Sequence, residues 1–117
     1  MLNNSKLQNA FKLSCKINAF VPATIHDKEI DNTEYVDRIA TIFSKCFGGA
    51  TATQALGCWL SAHVGLIKEK TTIVFSYCTT EQLEENIEIV IDALEALKKE
   101  LEQEVIAVEI NGEMYFL

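Results

Sequence analysis

The sequence predicts an α+β domain in which one antiparallel sheet carries two helices on a single face. Three observations predict it: a period-two apolar run from Phe11, two amphipathic segments with capping signals, and an Asn-Gly turn near the C-terminal end. With 117 residues, 49% of them apolar, the chain suits one core and so one domain spanning 1–117. Residues 1–9 read as a flexible N-terminal extension.

Each element follows from its own chemistry. Phe11, Leu13, Cys15, Ile17, Ala19 and Val21 alternate with Lys12, Ser14, Lys16 and Asn18, the pattern of a strand with one buried face. Pro22 lacks an N–H and ends that strand or confines it to an edge. The polar stretch Thr24 to Asn32 reads as a loop. Asp31 and Glu34 form a candidate capping box. Behind it Tyr35, Val36, Ile39, Ile42, Phe43, Cys46 and Phe47 recur at helical spacing. Gly48-Gly49 ends this helix, since glycine takes the left-handed conformation without steric cost. Thr51 to His63 and Leu66 to Cys78, rich in β-branched and aromatic residues, read as a hairpin turning at Val64-Gly65. Thr79 with Gln82 offers a second capping box before a helix running to about Gln103. Its seam is Leu83, Ile87, Val90, Leu94, Leu97 and Leu101. Val105 to Ile110 and Glu113 to Leu117 flank Asn111-Gly112, whose residues accept the positive φ of a type I′ turn.

The order is β-α-β-β-α-β with a short extra C-terminal strand, the ferredoxin-like split βαβ arrangement. The seam of the second helix would also suit a homodimeric coiled coil, but packing on the sheet is the expected use.

Composition excludes several classes. No apolar stretch reaches the roughly 18 residues a membrane helix needs. The start MLNNSKLQNA lacks an apolar signal core, so a cytoplasmic protein is expected. A net charge of −7 argues against direct nucleic-acid binding. Cys15, Cys46, Cys58 and Cys78 form no metal spacing; they read as free, buried thiols, and no cofactor or metal is expected.

The search for chemistry finds no nucleophile elbow, phosphate loop, dinucleotide fingerprint or zinc motif, so no catalytic residue is assigned and a non-enzymatic protein is expected. Gly48, Gly49 and Thr51 follow a helix instead of preceding one, which is the wrong end for cradling a phosphate. Trp59 beside Gly57 reads first as core packing. If that sheet face is open, Arg38, Trp59 and Tyr77 with Gly48, Gly49 and Thr51 would line a groove for a small ligand.

Charge is unevenly distributed. Residues 1–80 hold six acids against eight Lys or Arg, a net of +2; residues 81–117 hold eleven acids against two Lys, a net of −9. Glu81, Glu85, Glu88, Asp92 and Glu95, with Glu84 beside them, lie about opposite the apolar seam of the second helix. The stripe reads either as a well-solvated helix face or, since like charges four apart cost about 0.2–0.5 kcal/mol per pair, as a surface for a basic partner.

Phe47-Gly48-Gly49-Ala50-Thr51, Gly57-x-Trp59, Lys68-Glu69-Lys70-Thr71 and the closing Asn111-Gly112-Glu113-Met114-Tyr115-Phe116 resemble a family of small, largely uncharacterised proteins from phages and conjugative elements of low-GC Gram-positive bacteria. The likeness covers most of 18–117. It implies an anti-defence role, anti-CRISPR-like: the acidic helix would bind a basic host surface, such as the nucleic-acid groove of a host effector, and compete there with phosphates. A dimeric small-molecule or nucleotide-signal sponge is the alternative. A small enzyme is a third reading, which would bring His26, His63, Cys58 or acids into one pocket.

Overall fold

The computed structural model describes residues 2–117. Its elements are α1 (Ser5–Gln8), β1 (Cys15–Pro22), β2 (Thr24–Ile25), β3 (Lys28–Glu29), α2 (Thr33–Phe47), β4 (Thr51–Ser61), β5 (Gly65–Cys78), α3 (Thr80–Glu100), β6 (Ala107–Ile110) and β7 (Glu113–Phe116). The five long strands pair antiparallel in the order β4-β5-β1-β6-β7, and β2 and β3 form a separate two-stranded ribbon. Leaving out the terminal β7, this is the strand order of the ferredoxin-like fold, as the sequence predicts. Both long helices bury their apolar faces in one core with the odd residues of β1 and the even residues of β5. Phe43, Val90, Leu94, Leu97, Ile17 and Val74 lie at its centre, each 1% exposed or less.

Several boundaries differ from the sequence reading, each for a physical reason. The alternation from Phe11 becomes a strand only at Cys15, because Cys15 pairs with Cys78, the last residue of β5. Phe11 to Ser14 therefore have no ladder to join, and Phe11 is 86% exposed. The supposed loop 24–32 contains the β2–β3 ribbon, turned by His26 (φ 49°) and Asp27 (φ 66°), two positive-φ residues of the type I′ kind. At the start of α2 the capping box does not form. Asp31 accepts from the N–H of Thr33, while Asn32 turns inward and donates to the carbonyls of Val21 and Pro22 and to Thr72 Oγ1. The second box forms fully: Thr79 accepts from the Gln82 N–H and Gln82 accepts from the Thr79 N–H.

The β4–β5 hairpin turns through three residues, Ala62 to Val64, and not two. Gly65 (φ 82°) supplies the left-handed residue that such a loop requires. Asn111 (φ 52°) and Gly112 (φ 84°) make the expected tight turn between β6 and β7. The seam of α3 is consumed by the core, since Val90, Leu94, Leu97 and Leu101 are buried and Leu83 and Ile87 pack beside them. It is not available for a coiled coil. No helix among the described residues is long and apolar enough to cross a membrane.

Candidate functional site

β1 pairs with β5 only as far as Pro22 opposite Thr71. The six β5 residues Gly65 to Lys70 and their β4 partners therefore extend beyond the main sheet as a two-stranded arm about 20 Å long at ~3.3 Å per residue. The β2–β3 ribbon lies beside the base of this arm. The Ala23 N–H donates to the Lys70 carbonyl, and Lys70 Nζ stands 3.5 Å from Glu29 Oε2. Between ribbon and arm is a groove of ≈ 550 Å³, lined from the ribbon by Asp27 and Glu29 and from the arm by Trp59, Glu69, Lys68 and Lys70.

Register decides which side chains meet there. Trp59 pairs with Ile67 and Gly57 pairs with Glu69, so Trp59 and Glu69 are diagonal neighbours on one face. Gly57 has no side chain to fill the space across from Glu69, and the indole Nε1–H donates to Glu69 Oε1 at 3.5 Å. Trp59 is 53% exposed. Its expected role in the core is corrected: through Ile67 it shares the face of the odd residues of β5, which is the side of the sheet away from both helices. Cys58, on the other face of β4, has the parity of the helix-covered side but lies on the arm, which has run past both helices, so it is exposed, against the expectation that all four thiols are buried. The groove thus combines an aromatic surface with three carboxylates, Asp27, Glu29 and Glu69, against Lys68 and Lys70.

The groove expected from sequence separates into three places. Gly48, Gly49, Thr51 and Tyr77 do line one depression of ≈ 400 Å³, where Ser76 Oγ donates to the Gly49 carbonyl at 2.6 Å. Lys16 Nζ sits 4.5 Å from the Phe75 ring centre and 5.2 Å from that of Tyr77. Trp59 is elsewhere: its partner Ile67 is ten residues along β5 from Tyr77, or about 30 Å. Arg38 lies on α2, hydrogen-bonded to Glu100 of α3, 3.7 Å from Glu34 and over the Tyr35 ring at 5.3 Å.

Arg38 acts between the helices. Its hydrogen bonds hold the Glu100 carboxyl below the ordinary 4.5, and this outweighs the opposing desolvation. A depressed folded-state value means that the pair stabilises the fold above pH 4.5 and stops doing so as pH falls through the lower value. Arg38→Ala is accordingly expected to lower the melting temperature more at pH 7 than at pH 3, where only the contact with the Tyr35 ring is fully retained in the parent protein. Equal shifts at both pH values, measured by circular dichroism, would refute this.

The acidic residues Glu81, Glu84, Glu85, Glu88, Asp92 and Glu95 are all exposed on α3, and among the described residues none of the six forms an ion pair. His26 Nε2 lies 3.3 Å from Glu102 Oε1, and His63 is in the turn of the arm. They do not gather with Cys58 in one pocket. The sequence reading missed Glu69, Asp27 and Glu29; the parity of Trp59 and Glu69 across the hairpin was the available signal.

No family model and no curated sequence matches the chain. Solved structures do. A phage SAM lyase in complex with S-methyl-5'-thioadenosine aligns with a TM-score of 0.63 at 17% identity, covering 88% of each chain. The apo state of phage SAM lyase aligns with a TM-score of 0.63 at 18% identity, covering 90% of this chain and 89% of that one. CutA from Synechococcus elongatus aligns with a TM-score of 0.50 at 10% identity, over 85% of this chain and 76% of its own. At these identities the likeness is one of fold. The expectation of a non-enzymatic inhibitor working through an acidic helix is corrected by these matches, since the two with the higher TM-score are structures of an enzyme, phage SAM lyase.

Proposed function

We propose that the chain is an S-adenosylmethionine (SAM) lyase that holds its substrate in the groove between the β4–β5 arm and the β2–β3 ribbon. The observation that carries this reading is the exposed Trp59 indole beside the Glu69 carboxylate, with Asp27 and Glu29 lining the same groove. SAM offers a sulfonium cation and a purine. An indole face attracts the first through its quadrupole and stacks on the second, while carboxylates favour the positive charge. The fold shared with phage SAM lyase over 88–90% of this chain supports the same reading.

Cleavage to S-methyl-5'-thioadenosine breaks the bond between the sulfonium sulfur and the γ-carbon of the amino-acid fragment. The bonding pair goes to sulfur, which leaves as a neutral thioether. A lyase consumes no water, so the γ-carbon gains its new bond from within the fragment, either from its own carboxylate as a lactone or by loss of a β-proton as an alkene. In both cases the work left to the protein is to fix the reacting conformation and exclude water. Loss of SAM would deprive methyl-dependent host defence of its donor, the form an anti-defence role would take.

The test is direct. The purified chain is incubated with SAM, and products are separated by chromatography and weighed. S-Methyl-5'-thioadenosine and a four-carbon lactone or alkene are expected, formed faster than in buffer alone. Unchanged SAM after prolonged incubation with excess folded protein would refute the assignment.

A further inference from the structure

Cys15 and Cys78 stand directly opposite each other where β1 begins and β5 ends. Both side chains lie on the helix-covered face, 5% and 0% exposed, and both thiols are free. The Ala23 N–H donates to the Lys70 carbonyl, which makes the pairs formed by residues 23, 21, 19, 17 and 15 the hydrogen-bonded ones of this ladder. Such pairs have Cα atoms about 5.5 Å apart, within the roughly 4.4–6.8 Å that a disulfide spans.

The two sulfurs have different surroundings. Cys15 lies at the mouth of the core, its Sγ 3.6 Å from Thr80 Oγ1. Hydrogen bonds from Thr80 and then Asn111 draw its pKa down, against weaker opposition from burial and the Glu84 carboxylate. Burial, with a smaller contribution from Cys15, pushes the Cys78 thiol up. Cys15, the less buried of the two and at the end of its strand, is the thiol an oxidant reaches first, and Cys78, wholly buried opposite it, is placed to resolve the product.

We propose that Cys15 and Cys78 form a peroxide-reactive thiol pair that closes into a cross-strand disulfide. The Cys15 thiolate attacks one oxygen of hydrogen peroxide, the O–O bond breaks, and the departing hydroxide takes up a proton to become water. This leaves Cys15 as a sulfenic acid. The Cys78 sulfur then attacks the Cys15 sulfur, forming the S–S bond and expelling the second oxygen as water. Two thiols lose two electrons and two protons, and one peroxide accepts them. The bridge ties the first residue of β1 to the last of β5, next to the Thr79 cap of α3. It is independent of the Trp59 groove.

The full-length chain is treated with hydrogen peroxide, alkylated, digested without reductant and analysed by mass spectrometry. A Cys15–Cys78 peptide pair is expected, two hydrogens lighter than the reduced peptides and lost on addition of dithiothreitol. The same pair is expected in a Cys46→Ser/Cys58→Ser chain, whose core is unaltered at the two reacting sites. In a Cys78→Ala chain, dimedone should capture Cys15 as the sulfenic acid. Oxidation confined to Cys46 or Cys58, or disulfides formed only between molecules, in protein that circular dichroism shows to be folded, would overturn the proposal.

Discussion

Trp59→Ala is expected to reduce the rate of SAM cleavage at low substrate concentration by about 100-fold, since stacking and cation–π attraction together are worth about 3 kcal/mol. Glu69→Gln keeps the shape and removes the charge, and should cost about 10-fold, in line with the ~1.5 kcal/mol of a charge-assisted contact. Neither change should lower the melting temperature by more than about 2 °C, because substitutions on an exposed arm usually stay within ~0.5 kcal/mol. Trp59 is half exposed and touches none of the core. Rates equal to the parent protein's in both variants would move the site away from the arm. Tyr77→Ala is the internal control: its depression lies about 30 Å along β5, so cleavage should be unaffected.

Phe43→Ala is expected to destabilise the fold by about 3–5 kcal/mol, the range for removing a buried aromatic ring. Phe43 is wholly buried between α2 and the sheet and meets Phe47 edge-to-face, with ring centres 5.5 Å apart at 78°. Domains of this size are stable by only about 5–15 kcal/mol, so the loss would be a large share of the total. Urea denaturation measures it, with the midpoint moving and the slope unchanged. Phe11→Ala, at a ring 86% exposed, should have no measurable effect. A loss below about 1 kcal/mol for Phe43→Ala would mean that the core packs differently from the description above.

The turn at the tip of the arm shows why the site was harder to read than the fold. A two-residue turn at Val64-Gly65 pairs His63 with Leu66, which sets Trp59 against Lys70 and places Glu69 on the opposite face. The three-residue turn pairs Ser61 with Gly65 and puts Glu69 on the side of Trp59. Side chains alternate along a strand, so a change of one in the parity of the register exchanges an ammonium for a carboxylate beside the indole. Helix α2 shows the same limit at its start. Asp31 and Glu34 have the spacing of a capping box, yet Asn32 is drawn inward by the carbonyls of Val21 and Pro22 and by Thr72 Oγ1, the last of them 40 residues away in sequence.

What the sequence determined by itself is what local chemistry controls. The alternation around Ile17, the seam of α3, the Thr79–Gln82 box, Gly48 and the Asn111-Gly112 turn each specify an element or its end, and together they specify the order of the ferredoxin-like fold. Tertiary structure alone decided how far β5 outruns β1, and which face of the arm carries Trp59, the one away from both helices. It also decided that the ribbon bearing Asp27 and Glu29 lies along that arm, and that Cys15 faces Cys78. These are relations between strands separated by many residues. They depend on register and on which partner is long enough to cover which face, and no periodicity within a single segment encodes either.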